Sequence, residues 1–318
     1  MKEETEIIIC GDLCPTDDTK KYFENQDNDS LFNDIVLIFK NADFVLGNLE
    51  FVLTDSPKPI TKAGPILHGK TTYIKTLKAA GIDAVSLANN HIKDSGEDGV
   101  LSTINACKEN NVDFFGAGKN LSKAKEPYVK IVEGYKIGVI TFAEQEFNVA
   151  SDTEYGASFL DPYEDFDRIA EFRKQVNYLI ILYHGGIEYY EYPSPLLQKK
   201  CRKFIEKGAD LVTCQHSHCI GTIEKYNEGT IIYGQGNTLF GFREGNDSWN
   251  QGLLIKLVFN HSFKKPELEL IPIHATKKGI RCMEKTKGTE LLEIVYSKRI
   301  KRFKCQINNR LCVTRKQH

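Results

Sequence analysis

The sequence predicts an α/β protein: a mostly parallel sheet covered by helices in its first part, then a β-rich second part. Two observations carry this. Short apolar runs alternate with helix-like stretches over the first 115 or so residues, the order that builds a parallel sheet. From Ile220 to Ile273 strand-like runs follow one another directly. A third observation bears on function. Nearly every apolar run ends in polar side chains flanked by glycine.

In chain order, Ile7–Cys10 and Phe44–Leu46 read as buried strands. Thr71–Ala80 reads as a helix closed by Gly81, a suitable left-handed terminator. Ala84–Leu87 is a strand, Asp98–Asn110 a helix and Val112–Phe115 a strand. Tyr128–Val132 and Lys136–Phe142 flank Glu133-Gly134-Tyr135 as a β-hairpin. Asp161–Gln175 reads as a helix and Tyr178–Tyr183 as a strand buried on both faces. Ser194-Pro195 opens a helix with a good cap and first-turn pair, running to Lys207 with Gly208 as its stop. Leu211–Thr213, Gly221–Tyr226, Thr230–Tyr233, Gly252–Phe259 and Leu268–Ile273 complete the strands.

The 318 residues are 41% hydrophobic and 27% charged, which excludes a largely disordered chain. The net charge of −1 hides an asymmetry: residues 276–318 hold 13 Lys and Arg against 3 Asp and Glu. The expected organisation is therefore one domain over residues 1–275 and a basic tail over 276–318, helical and packed on the domain. Lys298-Arg299-Ile300-Lys301-Arg302-Phe303-Lys304 could attract anions, but a solvated basic helix is the simpler reading and nucleic acid is not the expected partner. No run approaches the ~20 apolar residues of a membrane span. Met1-Lys-Glu-Glu-Thr-Glu is no secretory signal, and the nine cysteines form no C-x-x-C pair. Reduced thiols in a cytoplasm are expected.

Ligands of open α/β sheets gather beyond the carboxyl ends of strands. There the sequence places Gly11-Asp12, then Gly47-Asn48-Leu49-Glu50, then Asn89, Asn90, His91 and Asp94. Later strands end in His184-Gly185-Gly186-Ile187-Glu188-Tyr189, in Gln215-His216-Ser217-His218, and in Gly234-Gln235-Gly236-Asn237. Four of the eight histidines lie in these stretches. One such residue alone would be a turn former. Together they form a mixed N and O donor set without thiolate, suited to Mn, Fe or Zn. Cys214 and Cys219 raise a structural-zinc alternative, but their spacing around the histidines is too compact for tetrahedral closure.

These residues resemble the CapA family, named for capsule and poly-γ-glutamate biosynthesis. The likeness rests on Gly11-Asp12, Asn48-Leu49-Glu50, Ala88-Asn89-Asn90-His91 with Asp94 and Gly96, Gly116-Ala117-Gly118, His184-x-Gly186-x-Glu188-Tyr189, His216-x-His218 and Gly236-Asn237. It spans roughly residues 5 to 240, and order and spacing agree across the blocks. The family is similar to the calcineurin-like metallophosphoesterases. That resemblance implies a sandwich of two β-sheets flanked by helices, with one or two divalent metal ions at the strand ends. It implies Asp12 and His218 at a first metal, Glu50 bridging, and Asn90, His184 and His216 at a second. It makes His91 the proton donor and Asp94 its orienter. Glu188, at the rim, is a further catalytic candidate in its own right, placed to orient substrate or support the site. Asn48, Asn89, Tyr189, Asn237 and Arg243 would support the ligands or touch substrate. Lys62, Lys70 and Arg243 could also contact an anion, against the commoner reading of surface charge. Two positions depart from the phosphoesterase pattern: Cys14 stands where Asp-x-His has its histidine, and the bridging carboxylate is the longer Glu50.

The function these expectations support is a metal-dependent hydrolase, acting on a phosphoester or a γ-glutamyl amide, with an anionic small molecule or polymer as substrate. The family name adds a non-catalytic alternative, a component of a membrane-associated capsule synthesis and export machinery.

Overall fold

The computed structural model describes residues 4–260 and 265–298. At its centre is the strand Glu4–Leu13, which is buried from Ile7 onwards. Its residues alternate: Ile7 and Ile9 face a second sheet, while Ile8 and Cys10 face helices. On one side it pairs in parallel with Phe44–Leu49, followed by Ala84–Ser86 and Asp113–Phe115. On the other it pairs antiparallel with Gln251–Asn260, which leads to Glu267–Thr276 and Gly279–Cys282. The first sheet thus joins the two ends of the described chain.

The second sheet runs in the order Ile223–Tyr226, Gly229–Ile232, Leu211–Gln215, Tyr178–His184, Tyr135–Ala143, Tyr128–Val132. Its central strand, Tyr178–His184, is buried throughout. Ile180 and Leu182 meet Ile7, Ile9, Leu46 and Ile255 between the sheets. Leu179, Ile181 and Tyr183 pack outward against Phe204 and Cys201 of the helix Pro195–Glu206. That helix starts where the sequence predicts, with Ser194 accepting from the Leu197 amide at 3.2 Å. The result is a sandwich of two mixed sheets with helices on both outer faces.

Several expected elements shift at their ends. The helices lie at Tyr73–Ala80, Gly96–Glu109 and Asp165–Arg173, and the first strand is longer than its apolar run. Three short helices, Lys20–Glu24, Asn28–Phe32 and Ile35–Asn41, fill a stretch the apolar pattern left unassigned. The change of charge sign at Thr276 does not coincide with a break in the sheet. Gly279–Cys282 pairs with Glu267–Thr276, and the helix Lys285–Ser297 buries Val295 in the core between the sheets. The basic run beyond Lys298 lies outside the described residues. No helix among the described residues is long and apolar enough to cross a membrane.

One irregularity positions everything that follows. The pairing of Glu4–Leu13 with Phe44–Leu49 shifts register between Ile9 and Asp12. Such a break re-aims the side chains beyond it. Two buried glutamines take the carbonyls at the break. Gln235 Nε2 donates to Ile9 O at 2.7 Å and to Leu253 O at 2.9 Å, and Gln215 Nε2 donates to Cys10 O at 3.1 Å. Both glutamines belong to the second sheet's strand ends, so they also tie the two sheets together. Gly11 is required here, because a Cβ would lie 2.4 Å from Gly236 O.

Gln235→Leu removes both donors while keeping the volume. It is expected to cost about 2–4 kcal/mol, read as a lower urea midpoint with an unchanged slope. A midpoint equal to that of the parent would show that the break does not rest on Gln235.

Candidate metal centre

The strand ends of the two sheets converge. Asp12, Asn48 and Glu50 come from the first sheet, with the Glu50 amide donating to Leu13 O at 3.0 Å. Asn89 to Asp94 follow Ala84–Ser86. His184 is the last residue of its strand, and His216 and His218 follow Leu211–Gln215. Both of these histidines hold left-handed backbone, with φ of +89° and +52°. This conformation is rare for residues with a side chain and concentrates at functional sites. It directs His216 and His218 to two different groups.

Glu50, His184 and His216 bring their ligand atoms within 4.8 Å of one another, and so do Asp12, Glu50 and His218. Glu50 belongs to both groups. Its Oε1 lies 3.6 Å from His184 Nε2 and 3.9 Å from His218 Nε2. Asn90 Oδ1 lies 2.9 Å from the same His184 Nε2, so it joins the first group. The donors are all N and O. Both carboxylate oxygens of Glu50 and Nδ1 of His216 are buried without a hydrogen-bond partner.

This fits a cation. A buried carboxylate with no donor costs several kcal/mol unless a positive charge offsets it. Burial, then the charge of Asp12 beside it, holds the Glu50 carboxyl well above the usual carboxylate range. Burial and the neighbouring His216, His218 and His91 push His184 well below the usual imidazole range. Burial also lowers His218, with Asp12 opposing. A neutral imidazole is the form that ligates metal.

Amides hold this cluster in place. Asn48 Nδ2 donates to Asp12 Oδ1 at 2.8 Å and lies 3.1 Å from His184 Nδ1. The other oxygen of Asp12 accepts from the His216 amide at 3.0 Å. Asn237 Oδ1 lies 2.9 Å from His218 Nδ1. Asn89, expected as a turn former or supporting residue, donates to Leu49 O at 2.8 Å and accepts from the His91 amide at 3.1 Å. It pins the turn that presents Asn90 and His91.

His91 Nδ1 lies 2.7 Å from Asp94 Oδ2, and Asp94 is fully buried. The buried partner of Asp94 is Lys62, at 2.5 Å, and Lys62 is also 3.2 Å from His91 Nδ1. The surface reading of Lys62 is therefore wrong: its side chain is 2% exposed. Leu67 N donates to Asp94 Oδ2 and Ile60 N to Asp94 O, so this one aspartate anchors the loop that carries Lys62. Lys70 is on the surface, paired with Glu24. Glu188 stands exposed at the rim, where its charge reaches Glu50 and His218. Tyr189 is half-exposed beside it, with its amide on Ser217 O at 2.8 Å. Arg243 is exposed and stacks on Trp249.

The strand-end pattern missed Glu146, whose Oε1 is 4.0 Å from His216 Nε2, and Trp249, whose ring centroid is 4.8 Å from that of His218. Neither follows an apolar run that ends in the cluster. Cys14 is fully buried in the helix-side core and belongs to neither ligand group. Burial, then the charge of Glu50, holds its thiol well above the usual range, so it stays protonated. Cys214 faces Cys201 at 3.6 Å in the outer core beneath Pro195–Glu206, which removes it from a zinc site with the histidines.

Residues 6–242 match the family model described as bacterial capsule synthesis protein PGA_cap. Over 247 residues the chain is 28% identical to capsule biosynthesis protein CapA of Bacillus anthracis, covering 75% of this chain and 60% of that protein. Over 239 residues it is 30% identical to PGA biosynthesis protein CapA of Bacillus subtilis, covering 72% and 62%. The chain thus spans about three fifths of the length of these curated relatives. Among solved structures it resembles a hypothetical protein from Thermus thermophilus, with TM-score 0.54 and 14% identity over 84% of this chain and 98% of that one. It also resembles a novel phosphatase from Mycoplasma pneumoniae, with TM-score 0.50 and 13% identity over 86% and 94%. At these identities the likeness shows the fold alone, the two-sheet sandwich described above. The chain belongs to the bacterial capsule synthesis protein family PGA_cap.

Proposed function

We propose that this chain serves the biosynthesis of a capsule or poly-γ-glutamate-type polymer as a divalent-metal-dependent hydrolase, acting on a phosphoester of an anionic small molecule or polymer. The observation that carries this reading is Glu50, a fully buried carboxylate shared by two groups of N and O donors and bonded to nothing else. Asp12, Glu50 and His218 would hold one ion, and Glu50, Asn90, His184 and His216 a second. When bound, such ions supply Lewis-acid stabilisation of charge on a phosphoryl oxygen and make a water more acidic.

The chain's own residues do the rest. Asp94 accepts from His91 Nδ1, which leaves Nε2 as the atom that passes a proton to the leaving oxygen. Lys62 neutralises Asp94 and closes that side against water, since both side chains are buried. Asn48 orients Asp12 and His184 together.

A second reading has one specific observation in its favour. Cys14 sits in the apolar core where the phosphoesterase pattern has a histidine, so the first donor group lacks a ligand that an esterase of that pattern has. In this reading the chain is a non-catalytic part of a membrane-associated polymer assembly. His91→Ala separates the two. In the hydrolase it lowers kcat about 10²–10⁴-fold with metal content retained, measured on p-nitrophenyl phosphate with Mn or Zn. Full capsule production by a His91→Ala strain, together with no hydrolysis by the parent protein in any divalent metal, refutes the hydrolase. Cleavage of a γ-glutamyl amide but no phosphoester would keep the centre and change the substrate.

Glu50→Gln tests the centre itself. Without metal the variant is expected to be more stable than the parent by about 1–3 kcal/mol, because a buried like-charge neighbour of Asp12 is gone. With Zn or Mn at about a hundred times the dissociation constant the parent gains about 2.7 kcal/mol, and the variant loses most of that gain. Thermal melts with metal analysis read both. Equal metal-induced shifts in the two proteins would remove Glu50 from the centre.

A further inference from the structure

Arg243 is held as an anion receptor. Its backbone is clamped twice by Asn250: its amide donates to Asn250 Oδ1 at 2.8 Å, and Asn250 Nδ2 donates to its carbonyl at 2.6 Å. Its guanidinium carbon lies 3.2 Å from the centroid of the Trp249 ring. Trp249 is buried and fixed in turn, with its indole N–H on Gly241 O at 3.3 Å. The other arginines of the described residues all place a guanidinium nitrogen on an oxygen: Arg168 on Asp165, Arg173 on Val176 O, Arg202 on Glu224 and Arg281 on Asn33. Among the described residues, Arg243 is the arginine whose guanidinium has no oxygen partner. It is presented by its backbone and by stacking, with its hydrogen-bonding edges left over.

Its place matters. The Trp249 ring touches that of His218, a member of the Asp12–Glu50 group, at a centroid distance of 4.8 Å. On the open side Tyr189 stacks on Trp249 at 6.0 Å and 28°, and the Arg243 guanidinium lies 6.0 Å from the Tyr189 ring. Tyr189 is half-exposed and held at φ +61°, so its ring is positioned at the cost of backbone strain. An exposed aromatic face and an unpaired guanidinium therefore stand together, one ring away from the candidate metal centre. Arg243 and Trp249 both lie beyond residue 242, the last residue matched to the family model.

We propose that Arg243, supported by Trp249 and flanked by the Tyr189 ring, binds a second anionic group of the substrate, a carboxylate or phosphate carried by the part of the molecule that is not cleaved. A guanidinium recognises either group by paired N–H···O bonds. The substrate class is then a phosphoester whose organic part bears a further negative charge, with a ring or flat segment between the two to lie on Tyr189. This rests on the hydrolase reading for the word substrate, but binding can be read without hydrolysis.

Trp249 is the chain's single tryptophan, so its fluorescence reports on this position alone. The probes are glucose 6-phosphate, 6-phosphogluconate and glucose 1,6-bisphosphate, titrated into the full chain in EDTA and again with Zn. They share a phosphoester; 6-phosphogluconate adds a carboxylate on an open chain, and glucose 1,6-bisphosphate adds a phosphate on the ring. The parent is expected to bind one or both of the doubly charged probes about tenfold or more tighter than glucose 6-phosphate, and the arm that gains identifies the group. Arg243→Gln keeps the backbone clamps and should abolish the difference, while Arg243→Lys should keep part of it. Equal affinity of the parent for all three probes, or discrimination that survives in Arg243→Gln, overturns the proposal. Discrimination without hydrolysis of these probes sustains it whether or not the hydrolase reading holds. Hydrolysis without discrimination overturns it and leaves the hydrolase reading standing.

Discussion

The structure is organised around an electrostatic problem. Asp12 and Glu50 are both buried at the ends of neighbouring strands, and no lysine or arginine among the described residues is paired with either. Asp12 is satisfied by amides from Asn48 and His216. Glu50 is not satisfied at all. Two carboxylates side by side in a low-dielectric interior repel each other strongly. Protonation of His184 and His218, which would relieve this, is disfavoured by their burial and by the neighbouring imidazoles. Strand ends, the register break at Ile9–Asp12 and the left-handed histidines all bring donors to this point. Their arrangement makes physical sense once a cation is counted among the residues' partners.

Much of this was legible in the sequence, for identifiable reasons. Ile7–Cys10 and Tyr178–Tyr183 are continuous apolar runs because both strands lie between layers. Ser194-Pro195 and Gly208 mark a helix because caps and stops are local chemistry. The ligand groups were legible because strand ends of both sheets face one another, so residues far apart in the chain share a position relative to their strands. The rest depends on contacts that no local pattern encodes. Lys62 looks like a surface lysine in Ile60-Thr61-Lys62-Ala63-Gly64 until the loop folds onto Asp94. Asn237–Leu239 is a strand only because it lies against Asp12 and Leu13. Trp249 joins the site from a four-residue helix with no periodicity to read.

The two sides of the centre differ in kind. Around His91, Asp94 and Lys62 the side chains are buried and interlocked, and one aspartate holds a whole loop through its carboxylate and its carbonyl. Around His218 the neighbours are aromatic rings, ending in an exposed tyrosine and an exposed arginine. The first is suited to placing a proton. The second is suited to admitting and grading a ligand.

The pairing of Glu4–Leu13 with Gln251–Asn260 has a consequence for how the protein is made. Glu4 lies opposite Asn260, and between them the chain completes the whole second sheet. The strand that carries Asp12 therefore waits, with one flank open, until its distant partner has left the ribosome. Contacts so far apart along the chain are slow to form, because loop closure must precede any gain from them. The histidines of the second sheet can be ordered before the first carboxylate is locked beside them. The centre can therefore be completed only after Gln251–Asn260 has been made, late in the chain.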